Sequence, residues 1–441
     1  MITVVGTGTG TPVAEDVLAG AALVVGGRRH LDALRLPEGA ERVVLGPLAP
    51  ALDVVERHLE KASRVVVLAS GDPGFFGIVR VLAERFGPGL LDVRPGVSSV
   101  ATAFARIGLP WDDAVVVSAH GRELRTAVNV CRARPKVAVL TGPGAGPAEL
   151  GAALLTDPCA PGAASAGPGS APVAGPAEPV IAPARAPGGR VLVVASALGS
   201  ARERVEWVTP AEAAARDWGP DVSVVLCLDE TRALSGVRTV AGAPAGPAGW
   251  ALDEDRFAHR DSMITKFEVR ALALARLGPR LGDLVWDVGA GSGSVAVECA
   301  RLGAAVVAVE KAPDGVARIR ANADAHGVDV RVVQGSAPSA LAGLDDPDAV
   351  FVGGGGRDLP AVVGACARRA RRTVVVAMAA LDRVPAAREA LTGAGFACDG
   401  VLLQSSRLAP LPGDVTRLAA TNPVFLLWGV RTPASREGVA Q

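Results

Sequence analysis

The sequence predicts an α/β fold with largely parallel sheets, and two observations support that prediction. Short runs rich in Val, Ile and Leu recur along the chain, and Ala-, Leu- and Arg-rich stretches of helical length separate them. Such alternation is typical of β–α–β units, in which a helix connects two parallel strands. The chain has 441 residues, which favours two or three domains because a single domain usually holds about 100–200 residues.

The predicted strands fall into two groups. In the N-terminal half they lie at 2–5, 23–25, 43–45, 65–68, 115–117, 137–140, 190–195 and 222–226, with a helix at 49–62. In the C-terminal part a helix at 266–277 precedes strands at 284–288, 305–309, 330–333, 349–352, 373–377, 398–404 and 424–428. A helical segment follows each of the first five C-terminal strands, whereas the last two have no helix between them. Five β–α units closed by such a pair indicate the seven-stranded sheet of Rossmann-like methyltransferases.

Glycine (53) and proline (33) together make up about a fifth of the chain, against a usual share of roughly 12%. Part of this excess lies in residues 158–189, which are almost all Ala, Gly, Pro and Ser. Such a stretch cannot bury enough apolar surface to offset its ordering entropy, so we expect a disordered insertion. A second run, AGAPAGPAG, suggests an interdomain linker. The predicted organisation is an N-terminal domain at 1–240 with lobes at about 1–110 and 111–240, a linker at 241–252, and a C-terminal domain at 253–432.

The charge balance and the cysteines exclude several classes of protein. Lys plus Arg and Asp plus Glu both number 45, so neither a generally basic nucleic-acid binder nor an acidic disordered chain is expected. The six cysteines stand far apart, which predicts small core residues and neither a disulfide framework nor a metal site. The N-terminus lacks a basic signal region, and no apolar run reaches the ~18 residues of a membrane span. We therefore expect a cytoplasmic protein that contacts no membrane.

The clearest motif is WDVGAGSGS at 286–294, where a buried strand gives way to a helix. Gly289, Gly291 and Gly293 let the backbone turn sharply and approach a ligand. In a dinucleotide fingerprint the third glycine would fall at 294, but that residue is Ser294. An NAD(P)-dependent oxidoreductase is thus the weaker alternative, and the pattern matches sites for S-adenosylmethionine (SAM). Asp287 is then expected to orient the turn and the methionine amino group.

Later strand ends extend this interpretation. Glu310 ends the next predicted strand, where a carboxylate can accept hydrogen bonds from both ribose hydroxyls. Ser336 and Ala337 follow the third strand and are placed to contact adenine. After the fourth strand the chain reads FVGGGG rather than the N/D-P-P-Y/F of enzymes that methylate nucleic-acid bases, which counts against a nucleic-acid partner. The glycines at 353–355 leave room for a large ligand.

Glycine-rich motifs also mark the N-terminal half. They are GTGTG from residue 6, SGDPGFFG from 70, PGVSS from 95, SAHGR from 118 and TGPG from 141. Each follows a predicted strand or opens a helix at the carboxyl edge of a sheet, where open α/β folds bind ligands. That shared location distinguishes them from ordinary surface loops.

Together with GLPWDD, these motifs resemble the tetrapyrrole (corrin/porphyrin) methylase family, in its C5-methylating branch. The segment DEDRFAHRDSMITKFEVRALAL from residue 253, with WDVGAGSGS and FVGGGG, resembles the partner family that methylates C15 and decarboxylates C12. Over about 1–155 and 190–430 the chain is similar to the fused precorrin-6Y C5,15-methyltransferase (decarboxylating) family of cobalamin (vitamin B12) biosynthesis. The insertion at 158–189 and the segment at 196–229 depart from the family pattern.

The resemblance implies a two-lobed tetrapyrrole methylase domain followed by a seven-stranded Rossmann-like SAM-dependent methyltransferase domain. It implies methylation of precorrin-6B at C5 and C15 with decarboxylation of the C12 acetate, giving precorrin-8. The same reactions on cobalt-precorrin intermediates remain an alternative, as does a non-catalytic tetrapyrrole-binding module. The implied cofactor is SAM, the partner is a small tetrapyrrole, and a homo-oligomer is expected.

Candidate site residues follow from the motifs and the resemblance. Because the macrocycle carries several carboxylates, basic side chains are expected near it. Thr265 is expected to cap the helix that follows it and to contact SAM. The catalytic candidates are His120, His259 and Lys266. The cofactor-binding candidates are Gly6, Gly8, Gly71, Asp72, Ser98, Ser99, Thr141, Thr265, Asp287, Gly289, Gly291, Gly293, Glu310, Ser336 and Ala337. The substrate-binding candidates are Arg122, Arg260, Gly353, Gly354, Gly355 and Arg357.

Overall fold

The computed structural model describes residues 1–10, 12–155, 189–221, 223–234, 241–242, 247, 249–260, 264–354 and 356–432. These residues form two compact units. The first contains the described residues up to 242 apart from 125–134, and the second contains 125–134 and the described residues from 247 onward. The predicted insertion at 158–189 lies, except for Gly189, outside the described residues.

The first unit begins with a parallel five-stranded sheet in the order β3-β2-β4-β1-β5. The predicted strands of this sheet are confirmed. β5 was not predicted, because its residues are exposed or only half-buried and form no apolar run. The elements are β1 (Ile2–Thr7), α1 (Glu15–Leu18), β2 (Leu23–Gly26), α2 (Arg28–Asp32), β3 (Glu41–Val44), α3 (Leu48–Glu60), β4 (Val65–Ser70), α4 (Val79–Phe86), β5 (Leu91–Arg94) and α5 (Ser99–Ile107).

A second five-stranded sheet has the order β6-β7-β10-β8-β9. Only β6 and β7 are parallel, because β10 runs antiparallel to both of its neighbours and β9 runs antiparallel to β8. The prediction of largely parallel pairing is wrong for this sheet, since a continuous apolar run reports burial and not direction. Its elements are β6 (Val115–Ser118), α6 (Leu124–Ala133), β7 (Lys136–Leu140), α7 (Pro147–Leu155), β8 (Arg190–Ser196), β9 (Arg204–Val208), α8 (Pro210–Ala214) and β10 (Ser223–Asp229).

The GLPWDD motif has a structural role at the edge of this sheet. Lys136, at the start of β7, is 1% exposed. Its ammonium group donates to Asp113 Oδ1 at 2.6 Å and to the Pro110 carbonyl oxygen at 3.0 Å. A buried ammonium needs such partners because leaving it unpaired costs several kcal/mol. The motif therefore neutralises a buried charge.

The second unit contains a seven-stranded sheet in the order β13-β12-β11-β14-β15-β19-β16. In this sheet β19 runs in the direction opposite to the other six strands. This confirms the predicted Rossmann-like methyltransferase sheet. Its elements are α9 (Phe267–Leu277), β11 (Leu284–Val288), α10 (Ser294–Arg301), β12 (Ala305–Glu310), α11 (Pro313–Ala325), β13 (Arg331–Gln334), β14 (Ala349–Val352), α12 (Leu359–Arg369), β15 (Thr373–Met378), α13 (Val384–Gly393), β16 (Phe396–Leu403), β17 (Ser406–Leu411), β18 (Val415–Ala420) and β19 (Val424–Arg431).

An antiparallel hairpin of β17 and β18, which the sequence analysis did not predict, lies between the last two strands of the sheet. Its base is held by Arg407, whose guanidinium donates to Glu254 and to Glu268 at 2.8–3.1 Å. The hydrogen bonds from Arg407 lower the pKa of Glu254 to about 2. The bidentate geometry makes this network stronger than an ordinary surface ion pair.

The start of α9 corrects one prediction. Lys266, not Thr265, is the N-cap residue, and its side chain makes no capping hydrogen bond. Thr265 instead presents its carbonyl oxygen to Arg270 Nη1 at 2.5 Å. Arg270 is fully buried on α9 and also donates to the Leu252 carbonyl oxygen. The backbone of the segment before α9 is thus held by an arginine, so no threonine cap is needed.

The turn between β11 and α10 depends on glycine. Gly289 has φ +74°, and a Cβ there would lie 2.9 Å from the Cα and amide nitrogen of Gly354. Gly291 has φ +58°, but the space around it is open. A side chain at 289 would therefore push apart two loops, because backbone atoms cannot move aside cheaply. At 291 the cost would be conformational alone.

No helix within the described ranges has the length and apolarity to span a membrane. Four of the predicted core cysteines, Cys131, Cys227, Cys299 and Cys366, are buried, which confirms that expectation. Cys398 is half-buried, and Cys159 lies outside the described residues.

A series of three alanine substitutions separates the two costs at the glycine turn. Gly343 has neither a positive φ nor a neighbour within 4 Å of a Cβ, so Gly343→Ala should leave the melting temperature of the second unit unchanged. Gly291→Ala should cost about 1–2 kcal/mol of stability, and Gly289→Ala should cost more. Scanning calorimetry gives the order, and equal losses at 289 and 291 would contradict the close approach to Gly354.

Substitution of Lys136 should destabilise the first unit strongly. Lys136→Met leaves the Asp113 carboxylate buried without its main cation, so we expect a loss of about 3–5 kcal/mol. The double variant Lys136→Met/Asp113→Leu should recover part of that loss because no buried charge stays unpaired. Arg216→Ala removes the exposed pair with Glu206 and should cost at most about 1 kcal/mol. Similar losses from both single variants, measured by calorimetry, would refute the role of the motif.

Candidate active sites

The second unit contains a cavity of about 640 Å³. Its walls come from the loops after β11 to β15 and from the segment that leads into α9. This is the carboxyl edge of an open α/β sheet, where ligands bind. The predicted residues that line it are Arg260, Thr265, Lys266, Asp287, Gly289, Gly291, Glu310, Ser336, Ala337, Gly353 and Gly354.

Three further candidates of this unit are not among the residues that line the cavity. Gly293 is the N-cap of α10, with φ +73°, and shapes the turn from behind. The half-buried His259 has a buried Nδ1 without a hydrogen-bond partner in the described part of the chain. Arg357 is exposed in a short 3-10 turn and is not among the residues that line the cavity. Gly355 lies outside the described residues.

Asp287 ends β11 with one carboxylate oxygen unused. Its Oδ2 accepts a hydrogen bond from the Ala296 N–H at 2.9 Å. Its Oδ1 is buried and has no partner within the described ranges. Burial, opposed by the hydrogen bond from Ala296 and aided by the nearby Glu310 charge, raises the pKa of Asp287 to about 7. A buried acceptor without a donor is costly, so this oxygen suits a cationic donor from a ligand.

Glu310, at the end of β12, connects two loops of the same site. Its Oε2 accepts from the Gly291 N–H and its Oε1 from the Ala312 N–H, both at 2.9 Å. A Cβ on Gly315 would lie 2.7 Å from Glu310 Cγ, so α11 approaches the side chain closely. Each carboxylate oxygen has a second lone pair, which leaves acceptor capacity for ligand hydroxyls.

Four charged residues of the cavity wall were not predicted from the sequence: Asp358 after β14, and three that lie close together after β12. Lys311 follows Glu310 directly, and Asp314 and Arg318 lie on α11. Asp314 accepts from Arg318 at 2.8 Å and lies 3.9 Å from Arg260. The signal that could have located them is Pro313, since proline at the first helical position marks where a helix begins beside the strand end. Lys311 and Arg318 join Arg260 and Lys266 as the basic residues of the wall, and Asp314 pairs with both arginines.

The segment before α9 reaches the cavity because buried charges hold it. Arg270 and Glu298 are both 0% exposed, and Arg270 Nε lies 3.5 Å from Glu298 Oε1. Glu298 Oε1 also accepts from the Leu252 N–H at 2.5 Å. Because Arg270 also holds the Thr265 carbonyl, the pair fixes both ends of the segment. The two charges compensate each other in an interior that would not tolerate either one alone.

In the first unit, the loops after β1, β4 and β5 meet backbone to backbone. The Gly71 N–H donates to the Thr7 carbonyl at 2.9 Å, and the Gly96 N–H donates to the Gly71 carbonyl at 3.2 Å. A Cβ on Gly6 would overlap backbone atoms of both Gly71 and Gly96. Three of the predicted motifs are therefore joined backbone to backbone at one edge of the sheet.

The side chains of the predicted cofactor residues in this unit mostly serve local structure. Asp72 accepts from the Gly74 N–H at 2.8 Å and closes its own loop. Ser98 is the N-cap of α5, which Ser99 begins, and accepts from the Ala101 N–H at 3.0 Å. The Thr141 hydroxyl donates to the Ser223 carbonyl at 2.6 Å. Their available ligand contacts are thus chiefly those of the backbone.

The second lobe brings its SAHGR loop to the same region. The Arg122 guanidinium lies 5.7 Å from the centre of the Phe76 ring, in the SGDPGFFG loop of the first lobe. His120 lies against the TGPG loop, because a Cβ on Gly142 would be 2.8 Å from its Nδ1. A Cβ on Gly199 would in turn overlap backbone atoms of Thr9 and Gly10. These contacts bring the motif loops of the two lobes together, and the region where the loops meet is the candidate cleft of the first unit.

Two family models match the chain: tetrapyrrole (corrin/porphyrin) methylases over residues 1–214, and a precorrin methyltransferase domain over 255–428. A relative from Sinorhizobium sp, named precorrin-6Y C(5,15)-methyltransferase [decarboxylating], is 38% identical over 78% of this chain and 75% of its own. One of the same name from Mycobacterium tuberculosis (strain CDC 1551 / Oshkosh) is 34% identical over 83% of each chain. A cobalt-precorrin-7 C(5)-methyltransferase from Salmonella typhimurium is 35% identical over 34% of this chain and 75% of its own.

These matches cover both units and include relatives aligned along most of their length. They confirm the resemblance drawn from the motifs and decide against the oxidoreductase interpretation of the glycine turns. The chain therefore belongs to the precorrin-6Y C5,15-methyltransferase (decarboxylating) family of SAM-dependent methyltransferases.

Proposed function

We propose that this chain methylates precorrin-6B at C5 and C15 and decarboxylates the C12 acetate, giving precorrin-8 in cobalamin biosynthesis. The first unit is assigned C5, and the second is assigned C15 and the decarboxylation. The observation that supports the proposal most is the cavity of the second unit, with Asp287 and Glu310 on its wall. The residues at 1–240 and 253–432 are the proposed catalytic domains.

The residues around the cavity fit SAM in three ways. Asp287 Oδ1 is a buried acceptor with no donor among the described residues, as the methionine ammonium requires. Glu310 has spare lone pairs for the ribose hydroxyls, and Ser336 and Ala337 lie at the wall for adenine. Close backbone approach at Gly289 keeps side chains out of the site. When bound, SAM supplies a methyl group already activated by its sulfonium.

The protein's own contribution is to position the substrate and to exclude water. The basic residues of the cavity wall, Arg260, Lys266, Lys311 and Arg318, are the proposed partners for the carboxylates of a tetrapyrrole, and Asp314 positions the two arginines. Gly353 and Gly354 line the cavity without side chains, so a broad ring can approach their backbone there. Holding reactants in a productive geometry can supply about 7–11 kcal/mol of the acceleration. His120, His259 and Lys266 remain the proposed groups for handling protons.

A direct assay tests the whole proposal. The full chain, incubated with precorrin-6B and SAM, should add two methyl groups and release one CO2 per macrocycle, as read by mass. A parallel arm with the cobalt-containing macrocycle distinguishes the two routes, since relatives of each kind are similar to this chain. If neither macrocycle gains a methyl group, the proposal is wrong.

The assignment of C15 methylation to the second unit predicts a selective loss. Glu310→Gln replaces a carboxylate acceptor by an amide of equal shape, so C15 methylation should fall about tenfold to a hundredfold while C5 methylation persists. Glu389→Gln changes an exposed carboxylate of α13 and should leave both rates unchanged. An equal loss at C5 and C15 from Glu310→Gln would contradict the assignment.

The raised pKa of Asp287 predicts proton release when SAM binds. Near pH 6 the free carboxyl is largely protonated, and contact with the ligand ammonium favours its ionised form. SAM affinity at this site should therefore rise by up to about tenfold from pH 6 to 7.5, before the ligand amine itself begins to titrate near pH 8. Titration calorimetry in two buffers of different ionisation enthalpy measures the released proton.

Asp287→Asn is the matched control for that measurement, since it keeps the shape of the side chain and removes its titratable proton. With this variant, the proton release that accompanies SAM binding near pH 7 should disappear. Folding stability depends on pH in the opposite direction to SAM affinity, because the Asp287 carboxyl keeps a proton in the native state that it releases in the unfolded chain. The contribution of Asp287 to stability is thus present below about pH 4 and lost as pH rises through 7. Proton uptake on binding, or release retained in the Asn variant, would overturn this role for Asp287.

A further inference from the structure

Arg29, His30 and Ser70 form a hydrogen-bonded cluster in the first unit that the proposed mechanism does not use. Arg29 Nη2 donates to Ser70 Oγ at 2.5 Å, and Arg29 Nε donates to His30 Nε2 at 3.3 Å. Ser70 Oγ lies 2.8 Å from the same His30 Nε2. The GGRRH run at 26–30, which supplies two of the three residues, is a motif that the sequence analysis did not single out.

The hydrogen bonds define the protonation of the cluster. Since Arg29 can only donate, His30 Nε2 is an acceptor, and the imidazole proton lies on Nδ1. Ser70 accepts from Arg29 and donates its hydroxyl proton to His30. Burial and the adjacent Arg29 charge lower the pKa of His30 to about 4, so the imidazole is neutral at physiological pH. Arg29 is then the only charged residue of this three-residue cluster.

The cluster lies against two of the glycine loops. Ser70 is the last residue of β4 and directly precedes Gly71 and Asp72. The His30 ring occupies the space beside Gly8, where a Cβ would lie 2.5 Å from Cε1. The imidazole thus packs on the GTGTG loop while the serine begins the SGDPGFFG loop. The position of Arg29 is consequently coupled to the walls of the proposed C5 site.

Arg29 is held in place yet keeps binding capacity. The residue is exposed, and it forms no ion pair within the described ranges. The opposing charge that acts on it is Asp221 of the second lobe, which is itself paired with Arg202 at 3.0 Å. Two of its three nitrogens are fixed by Ser70 and His30, and Nη1 remains available to an anion. An ordered guanidinium binds a carboxylate with less entropy loss than a mobile one.

We propose that Arg29, fixed by Ser70 and His30, binds a carboxylate side chain of the tetrapyrrole at the C5-methylating site. The inference rests on the proposed function, because that function supplies an anionic macrocycle. It adds a substrate contact in the first lobe to the one proposed for Arg122 in the second lobe. Both lobes would then supply a cation to the macrocycle.

The test compares two adjacent arginines of α2. Arg29→Gln should raise KM for the macrocycle in C5 methylation about tenfold to a hundredfold, the usual size of a lost charged hydrogen bond. Its kcat, the SAM affinity and C15 methylation should stay near wild type. Arg28→Gln is the matched control, since Arg28 is exposed and makes no hydrogen bond or ion pair with any residue that the structure describes. Arg29→Lys keeps the charge without the fork and should fall between the two.

The outcomes separate this inference from the function on which it rests. If wild-type protein methylates C5 and Arg29→Gln matches Arg28→Gln in KM, the inference is wrong and the function stands. A parallel fall in SAM affinity and melting temperature would mean that Arg29 only supports the loops, and this too overturns the proposal. Failure of the wild-type protein to methylate C5 would refute the proposed function itself.

Discussion

Close approach of one backbone to another, at positions where no Cβ fits, is the constraint on which both sites depend. In the first unit Gly6, Gly71 and Gly96 come together at the ends of three parallel strands, and in the second Gly289 meets Gly354. Parallel strands place these loops along one edge of each sheet, so the loops pack against one another there instead of standing as isolated turns. The candidate side chains, such as Asp287 and Glu310, extend from these packed loops or from the strand ends beside them.

The two units meet this constraint with different chemistry. In the second unit the candidate ligand-binding groups are carboxylates. Glu310 accepts hydrogen bonds from backbone N–H groups of the two loops that it joins, and Asp287 has a buried oxygen without a hydrogen-bond partner among the described residues. In the first unit the loop side chains are neutral or locally engaged, as with Ser98 at a helix N-cap. The ligand contacts proposed for the first unit are accordingly made by peptide groups and by Arg29 and Arg122. A substitution of a carboxylate should therefore affect the second site more than a comparable change affects the first.

The sequence predicted buried strands well and partner choice poorly, for a physical reason. The runs at 284–288 and 349–352 match β11 and β14 because central parallel strands are apolar on both faces. Antiparallel pairing of β10 and the exposed hairpin of β17 and β18 depend on contacts between distant residues, which local patterns do not record. Thr265 was assigned a cap from its type, whereas Arg270 supplies the restraint through the Thr265 carbonyl. Lys311 and Arg318 were missed because the sequence does not show whether a basic side chain points towards a site or into solvent.

The same reasoning explains why the Arg29 cluster was invisible in the sequence. A histidine beside an arginine usually indicates a solvated surface, but here Gly8 leaves space that the His30 ring fills, and the ring is buried with a depressed pKa. A protonated imidazole would repel Arg29 and could no longer accept from it, so burial keeps His30 neutral and lets the arginine remain charged. One glycine thus governs both the shape of a loop and the charge state of the cluster behind it. The absence of a side chain at Gly8 is what places an ordered cation next to the cleft.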